Sequence, residues 1–439
     1  MSFIADKQTL EDLNLLGRYK SNSIYRLFDH TITNGGRQLL EEMFRDPLTD
    51  AGKINERVKT FQWFGRQQLQ LPFSAGSFGL MENYLRSQNG SLVETWWNTM
   101  LKKVKSKLTA SEEFQQLQTG CKASITVLQS FRELVMPLIA EAGSPVAAPL
   151  QTIKEFFNNA QLQWLNEVQP GSTFTLSQLI RYDHSLRGKL QKEIKAFLQV
   201  IAWFDVNISV SGVAIAKGFC YPEALPAQDN RLDIVGLRHP MLTKAVSNPA
   251  TFSVAQNLVF LTGANMAGKS TYMKSFGVAF CLAHMGFPVA ADKMTFSVKD
   301  GIFSSINVPD DLEHGYSHFY AEVLRVKTVA QAVDSGKNLV VIFDELFKGT
   351  NVKDAYEATL SITEAFSKHR NCFFIISTHI IEVGHSLQPL ANNIRFHFMP
   401  TIMKGNTPVY TYQMNEGITS DRQGMLIIEN EKILELIRQ

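Results

Sequence analysis

The stretch Gly263-Ala-Asn-Met-Ala-Gly268-Lys269-Ser270-Thr271 constrains this chain more than any other. It follows the apolar run Leu258 to Leu261 and precedes a segment with apolar residues at Met273, Phe276 and Phe280. It therefore fits G-x-x-x-x-G-K-[ST] between a strand and a helix. Glycines at both ends let the backbone curl until its N–H groups face one point, and the positive end of the following helix adds to that field. A phosphate is the ligand such a loop selects. Lys269 is placed to neutralise β- and γ-phosphates, and Ser270 to ligate Mg²⁺.

Two further runs point to the same chemistry. Leu339 to Phe343 reads as a buried strand ending in Asp344-Glu345, and Cys372 to Ile376 as another ending in Ser377-Thr378-His379. In parallel α/β sheets the C-terminal ends of strands form the ligand-binding edge. Asp344 is expected to hold Mg²⁺, Glu345 to accept a proton from attacking water, and His379 to sense the γ-phosphate or orient that water. Each feature alone has a bland reading: a glycine-rich turn, two solvated acids, a structural histidine. Strands alternating with amphipathic helices predict an α/β sheet. Ile394 to Phe398 and Val409 to Met414 read as further strands, antiparallel ones at the sheet edge.

Before this half, from Leu10 to about Phe204, apolar residues recur at three and four positions, as in Leu190, Ile194, Phe197, Leu198 and Ile201. That spacing predicts helices, with breaks at Asn34-Gly35-Gly36, Gly76 to Gly79, Gly143 to Pro145 and Gly171-Ser172. The looser segment Pro222 to Asp229 marks the change, giving a helical domain over 1–228 and a P-loop domain over 229–439. Hydrophobic residues at 45% and charged ones at 19% exclude a disordered chain. Lys and Arg exceed Asp and Glu by only 43 to 41, so any nucleic-acid surface must be a local patch. The candidates are Lys102, Lys103, Lys105 and Lys107, and Arg181, Arg187, Lys189, Lys192 and Lys195, groups that equally suit solvated helix faces. Cys121, Cys220, Cys281 and Cys372 lack C-x-x-C spacing and read as reduced core thiols without zinc. The N-terminus has no secretory pattern, and the apolar stretch Phe276 to Ala291 is shorter than a membrane span. A cytoplasmic protein without a membrane partner is expected.

Together these residues resemble the ATPase domain of the MutS family of DNA mismatch-repair proteins. Thr262 to Thr271 is similar to the family's T-G-P-N-M-G-G-K-S-T, and Gly236-Leu-Arg-His239-Pro240 resembles its G-R-H-P. Asp344 to Thr350 with Asp354 resembles D-E-I-G-R-G-T-x-x-x-D, and Thr378-His379 the family's T-H. Asp310-Asp311, Gly315, Ser317, Phe319 and Glu322 follow D-D-x-x-x-G-x-S-T-F-x-x-E, which in the family reaches the nucleotide of the opposing subunit. The resemblance implies an ABC-type P-loop ATPase, ATP and Mg²⁺ between the subunits of a homodimer, and Gly315 and Ser317 acting in trans. Asp29 to Arg37 with Leu39-Leu40 and Pro47-Leu48 resembles the start of the family's lever, or core, domain, and Phe204-Asp205-Val206 the end of its long helix.

Departures shape the functional expectation. The family's mismatch-reading, connector and clamp parts, and the helix-turn-helix that follows many of its ATPase domains, find no counterpart in the pattern. Three positions before Asn248, where the family commonly has an aromatic residue to stack on adenine, stands Ala245. The resemblance thus implies a MutS-like ATPase whose closure moves the levers. Branched or damaged DNA and other repair proteins are its possible partners, without mismatch reading of its own. The alternatives are a nucleotide-gated protein-interaction switch that does not touch DNA, and an ABC-type ATPase of another branch, against which the Asn265-Met266 pair argues.

Overall fold

The computed structural model describes residues 2–17, 22–86, 99–102, 112–140, 145–169, 172–264, 266–306, 318–404, 407–419 and 436–437. Two compact units emerge. One comprises Met1–Phe28, Met43–Val58 and Val213–Gln439, the other Asp29–Glu42 and Lys59–Gly212.

The first unit is an α/β body. Its strands are β1 (Ile4–Ala5), β2 (Glu223–Leu225), β3 (Leu232–Leu237), β4 (Asn248–Phe252), β5 (Leu258–Gly263), β6 (Lys293–Ser297) and β7 (Gly301–Ser305). They continue with β8 (Leu339–Asp344), β9 (Phe373–Ser377), β10 (Ile394–Met399), β11 (Thr401–Lys404), β12 (Thr407–Tyr410) and β13 (Asn415–Glu416). A seven-stranded sheet runs β1-β7-β8-β9-β5-β10-β13. Every pairing in it is parallel except β10 with β13. β5 and β9 are buried along their whole length, and β8 up to Asp344. Strands covered on both faces must be apolar at every position, which is why Leu339-Val-Val-Ile-Phe343 does not alternate. A four-stranded sheet, β2-β6-β3-β4, lies in the same unit.

The end of the chain differs from its expected layout. β10 is a parallel neighbour of β5, aligned from Ile394 opposite Leu258 to Met399 opposite Gly263. Antiparallel pairing is left to the short β13 and to the separate hairpin of β11 and β12. This further strand extends the sheet beside the loop-bearing strand, so β5 lies inside the sheet rather than at its margin.

The second unit is helical, with Ala75–Arg86, Glu112–Val135, Ala147–Phe157 and Leu176–Asp183 among its members. Its core is rich in aromatic rings: Phe131 meets Phe197 and Phe204 edge-on, and Phe156 stacks on Phe197 at 4.5 Å. Asn34–Arg45, Ala51–Gln67 and Gln191–Lys217 contribute residues to both units. Of the described helices, Gln191–Lys217 is the one long and apolar enough to cross a membrane by length and composition. Its Phe197, Ile201 and Phe204 are buried in the helical core, which is where its apolar side is spent.

The expected break at Asn34-Gly35-Gly36 is instead the first turn of the helix Asn34–Arg45. Asp205 accepts hydrogen bonds from the amides of Ile32 and Thr33 and from Thr33 Oγ1, capping that turn. A Cβ on Gly36 would lie 2.5 Å from Asp205 Oδ2, so the glycine makes room for the cap. Gly76 and Gly79 likewise sit in the first turns of Ala75–Arg86 rather than breaking a helix. All four cysteines are free; Cys121, Cys281 and Cys372 are buried and Cys220 is half-buried.

Candidate functional site

The loop from β5 to the helix Lys269–His284 turns through three left-handed residues, Gly263 (φ 138°), Met266 (φ 68°) and Gly268 (φ 107°). Glycine is needed at the ends: a Cβ on Gly263 would stand 3.0 Å from Met399 O, and one on Gly268 would stand 3.1 Å from Tyr412 Cδ1. Ala264 is half-buried and Ala267 fully buried, whereas Met266, Ser270 and Thr271 are exposed at the mouth. Lys269 is only 4% exposed and donates to the loop's own carbonyls, Gly263 O at 2.8 Å and Ala264 O at 3.1 Å. Burial pulls its pKa down, and Asp344 and Glu345 pull it back up. Its ammonium therefore sits over the cradle with two carbonyl partners that a phosphate would replace.

Register brings the other strand ends to the same edge. Asp344 on β8 pairs with Ser377 on β9, which pairs with Leu261 on β5. Asp344 then links two strands and the loop helix: Ser270 Oγ donates to its Oδ2 at 2.5 Å, and Ser377 Oγ donates to its Oδ1. A hydroxyl and a carboxylate oxygen in contact are a hard donor set of the type Mg²⁺ takes, and that ion completes its shell from phosphates and water. Among the described residues no three His, Cys, Asp or Glu side chains cluster as metal ligands.

Glu345, one residue on, is left-handed (φ 55°), as is Phe347 (φ 60°). For side chains of this size such a conformation costs on the order of 1 to 3 kcal/mol each. The turn that results brings Glu345 Oε1 to 2.5 Å from His379 Nε2. That hydrogen bond is the main reason the Glu345 pKa is held below the ordinary carboxylate range. Beyond the turn, a Cβ on Gly349 would meet Phe319 N at 2.8 Å, and Phe347 and Phe319 rings are 6.0 Å apart. The segment after the two acids is thus packed directly on the start of the helix His318–Asp334. Asn265, Gly315 and Ser317 lie outside the described residues, as do Asp310 and Asp311.

Next to the loop is a cavity of about 490 Å³, whose lining includes Lys269, Ser270 and Glu345 and also His239, Ala245 and Tyr412. Ala245 itself supplies no aromatic face. Tyr412, which the sequence reading passed over, supplies one opposite Gly268. It is left-handed (φ 57°) and held by Asn248, whose Nδ2 donates to Tyr412 O at 2.9 Å while its Oδ1 accepts from Met414 N at 2.7 Å. No signal in the sequence exposed Tyr412, because it follows β12 in an irregular segment and meets the loop only through long-range packing.

The basic groups separate. Arg187 is buried and paired with Asp183 at 2.5 Å, so it is structural. Arg181 and Lys189 line one cavity of the helical unit, and Lys192 and Lys195 another. Lys102 lines a third; Lys103, Lys105 and Lys107 lie outside the described residues.

A family profile described as MutS domain III matches residues 8–211, and one described as MutS domain V matches residues 259–437. The DNA mismatch repair protein MutS of Pseudothermotoga lettingae is 23% identical over 97% of this chain and 62% of its own length. Proteins of the same name from Natronomonas pharaonis and Thermus thermophilus are each 29% identical, over 47% and 56% of this chain and 24% and 30% of their own length. The chain thus spans less than two thirds of each of these relatives.

Proposed function

The chain belongs to the MutS family, and from that premise we propose that it is a P-loop, ABC-type ATPase that binds ATP with Mg²⁺ at the edge formed by β5, β8 and β9. Two copies close on the nucleotide, with Gly315 and Ser317 of each facing the site of the other. The observation that carries this reading is the junction at Asp344, where Ser270 of the loop helix and Ser377 of β9 converge on one carboxylate beside the Glu345–His379 pair.

In this reading Lys269 leaves its loop carbonyls for the β- and γ-phosphates, and the loop amides hold the same oxygens. Ser270 and Asp344 hold Mg²⁺, which neutralises charge on the phosphates when bound. Glu345, held ionised by His379 before ATP binds, is freed when His379 turns to the γ-phosphate, and then positions the attacking water and accepts its proton. Little covalent work falls to the protein in phosphoryl transfer, so position and charge supply most of the rate. Tyr412 gives the base an aromatic wall in place of the one missing at Ala245. Closure moves the helical unit; the relatives' names, DNA mismatch repair proteins, support a DNA-repair setting, and within it branched or damaged duplexes are the proposed targets, with other repair proteins as partners.

Glu345→Gln tests the assignment. It removes the proton acceptor but keeps the shape, so ATP binding persists while turnover falls by about a hundredfold or more. Stopped-flow phosphate release alongside nucleotide titration reads both; unchanged release removes Glu345 from this role. Titrating duplex and branched DNA with and without ATP over a salt series separates the DNA-acting reading from a protein-interaction switch. The absence of salt-dependent binding in every nucleotide state supports the switch.

A further inference from the structure

The helical unit contains its own cleft, about 1040 Å³ and larger than the cavity beside the phosphate loop. Trp164 and Ile180 form apolar wall, Gln161 and Ser177 offer neutral polar groups, and Arg181, His184 and Lys189 contribute three basic side chains. Among the described lining residues there is no carboxylate. The nearest acid in sequence, Asp183, is fully buried and already accepts from Tyr84 Oη at 2.6 Å and from Arg187. Among the described residues Arg181 and Lys189 form no ion pair, and both are exposed.

The backbone here is unusual. His184–Lys189 is a π-helical turn, closed by Leu190 N donating to Ser185 O. In an α-helix residues five apart point to different sides, whereas the wider π turn brings them nearer to one face; such turns cluster at functional sites. His184 and Lys189 both reach the cleft in this way. The turn is braced by the Asp183–Arg187 pair, by Trp164 Nε1 donating to Ser185 Oγ at 3.2 Å, and by Trp164 stacking on Tyr182 at 4.1 Å. Among the described residues His184 Nδ1 is buried with no hydrogen-bond partner. What the cleft itself offers an occupant is the exposed charge of Arg181 and Lys189 beside the braced π turn.

We propose that this cleft binds a nucleotide unit, its phosphate held by Arg181, His184 and Lys189 and its base set against Ile180 and Trp164 with Gln161 and Ser177 at the base's edge. The net positive charge of the described lining selects an anion, the apolar wall selects a flat organic body attached to it, and the amide and hydroxyl groups suit heterocycle edges better than an alkyl chain. The volume lies at the upper end of small-molecule sites, roughly 300 to 1,000 Å³. One unit therefore fits with room for a neighbour. The source is a free nucleotide or an unpaired stretch of a single strand.

The test uses the full chain carrying Lys269→Ala, which weakens the phosphate loop, and titrates it with AMP, a short oligothymidylate and a duplex of equal length. Saturable binding of AMP identifies a free nucleotide as the source, and binding of oligothymidylate without AMP identifies a single strand. Either affinity drops by about a hundredfold in Arg181→Ser/Lys189→Ser, since each of the two lost charge-assisted contacts is worth roughly tenfold. Arg181→Lys/Lys189→Arg restores most of it, which separates lost recognition from lost folding. No binding of AMP or oligothymidylate, binding indifferent to these substitutions, or duplex bound as tightly as single strand overturns the proposal. None of these outcomes bears on the ATPase reading, whose own site is tested at Glu345.

Discussion

Acid should loosen the far end of the phosphate-loop helix through one residue, His284. It ends the helix Lys269–His284, is fully buried, and packs among Phe3, Phe280 and Phe296. Nδ1 lies 2.7 Å from Leu48 O and donates to it, while Nε2 accepts from Lys299 N at 3.4 Å. Both bonds are satisfied only by the neutral imidazole. Burial is the largest cause lowering its pKa, from 6.5 to about 4. The unfolded chain therefore binds a proton that the folded chain refuses between those values. The stability this group contributes is complete above about pH 6.5 and is lost as pH falls toward about 4. Each tenfold change in proton affinity is worth about 1.4 kcal/mol, so the full loss is about 3 kcal/mol, with about 2 kcal/mol gone by about pH 5. Samples held at different pH in urea, then pulse-labelled with deuterium at one common pH, report opening of the 270–284 peptide. His284→Asn keeps the donor toward Leu48 O and cannot titrate, so its stability should be lower at neutral pH but nearly flat through this range. Equal acid sensitivity in wild type and His284→Asn would refute the reasoning.

Three other outcomes follow from the same geometry. Lys269→Ala removes the one buried ammonium at the loop, and ATP affinity measured by calorimetry should fall about 10- to 100-fold, as expected for a lost charged hydrogen bond. Tyr412→Ala should weaken ATP by about 1 kcal/mol while Tyr412→Phe stays near wild type, because the ring face rather than the hydroxyl is used; equal effects from the two variants argue against a stacking wall. Gly349→Ala pushes a methyl against Phe319 N, 2.8 Å away, costing about 1 to 3 kcal/mol and slowing turnover more than it weakens ATP; an unchanged melting curve and rate would show that the two segments are not coupled.

Much of the site was legible because its chemistry depends on short-range order. The loop, the two acids after Phe343 and the histidine after Ser377 each sit at the end of an apolar run, and sheet register does the rest. What sequence order concealed arises from contacts across the chain. Residues Met1–Phe28 and Met43–Val58 belong with the α/β body although their spacing is helical, since helices cover that sheet as readily as they form a bundle. Gly35 and Gly36 looked like a break because nothing local announces that Asp205, far along the chain, will cap their turn. Arg187 looked like a phosphate ligand because a charged residue beside other charged residues does not reveal its partner; four residues earlier, Asp183 takes it into the core. Ser377 and Tyr412 carried no motif of their own.

The polar groups at the candidate site satisfy one another, and this has consequences for selectivity. An ammonium at 4% exposure is costly unless paired, and Lys269 is paired by the loop carbonyls. Ser270 is occupied by Asp344, and Glu345 by His379. A ligand must therefore replace each internal bond with a better one, which a neutral nucleoside cannot do at any of the three positions. A polyphosphate can do so at Lys269 through its charge, and its metal can do so at Ser270 and Asp344. Release of Glu345 needs a further partner for His379, and the γ-phosphate is the acceptor within the proposed arrangement. On this account ADP should bind well yet leave the Glu345–His379 pair closed, whereas ATP opens it and frees the carboxylate for water. The strained backbone at Glu345 and Phe347 lies directly under that exchange, and Gly349 and Phe319 carry it to the helix that follows the signature containing Gly315 and Ser317. A difference in the His379 imidazole resonances between the ADP and ATP states of Glu345→Gln, where turnover does not erase the ATP state, would register the exchange; identical resonances would mean that His379 does not read the third phosphate.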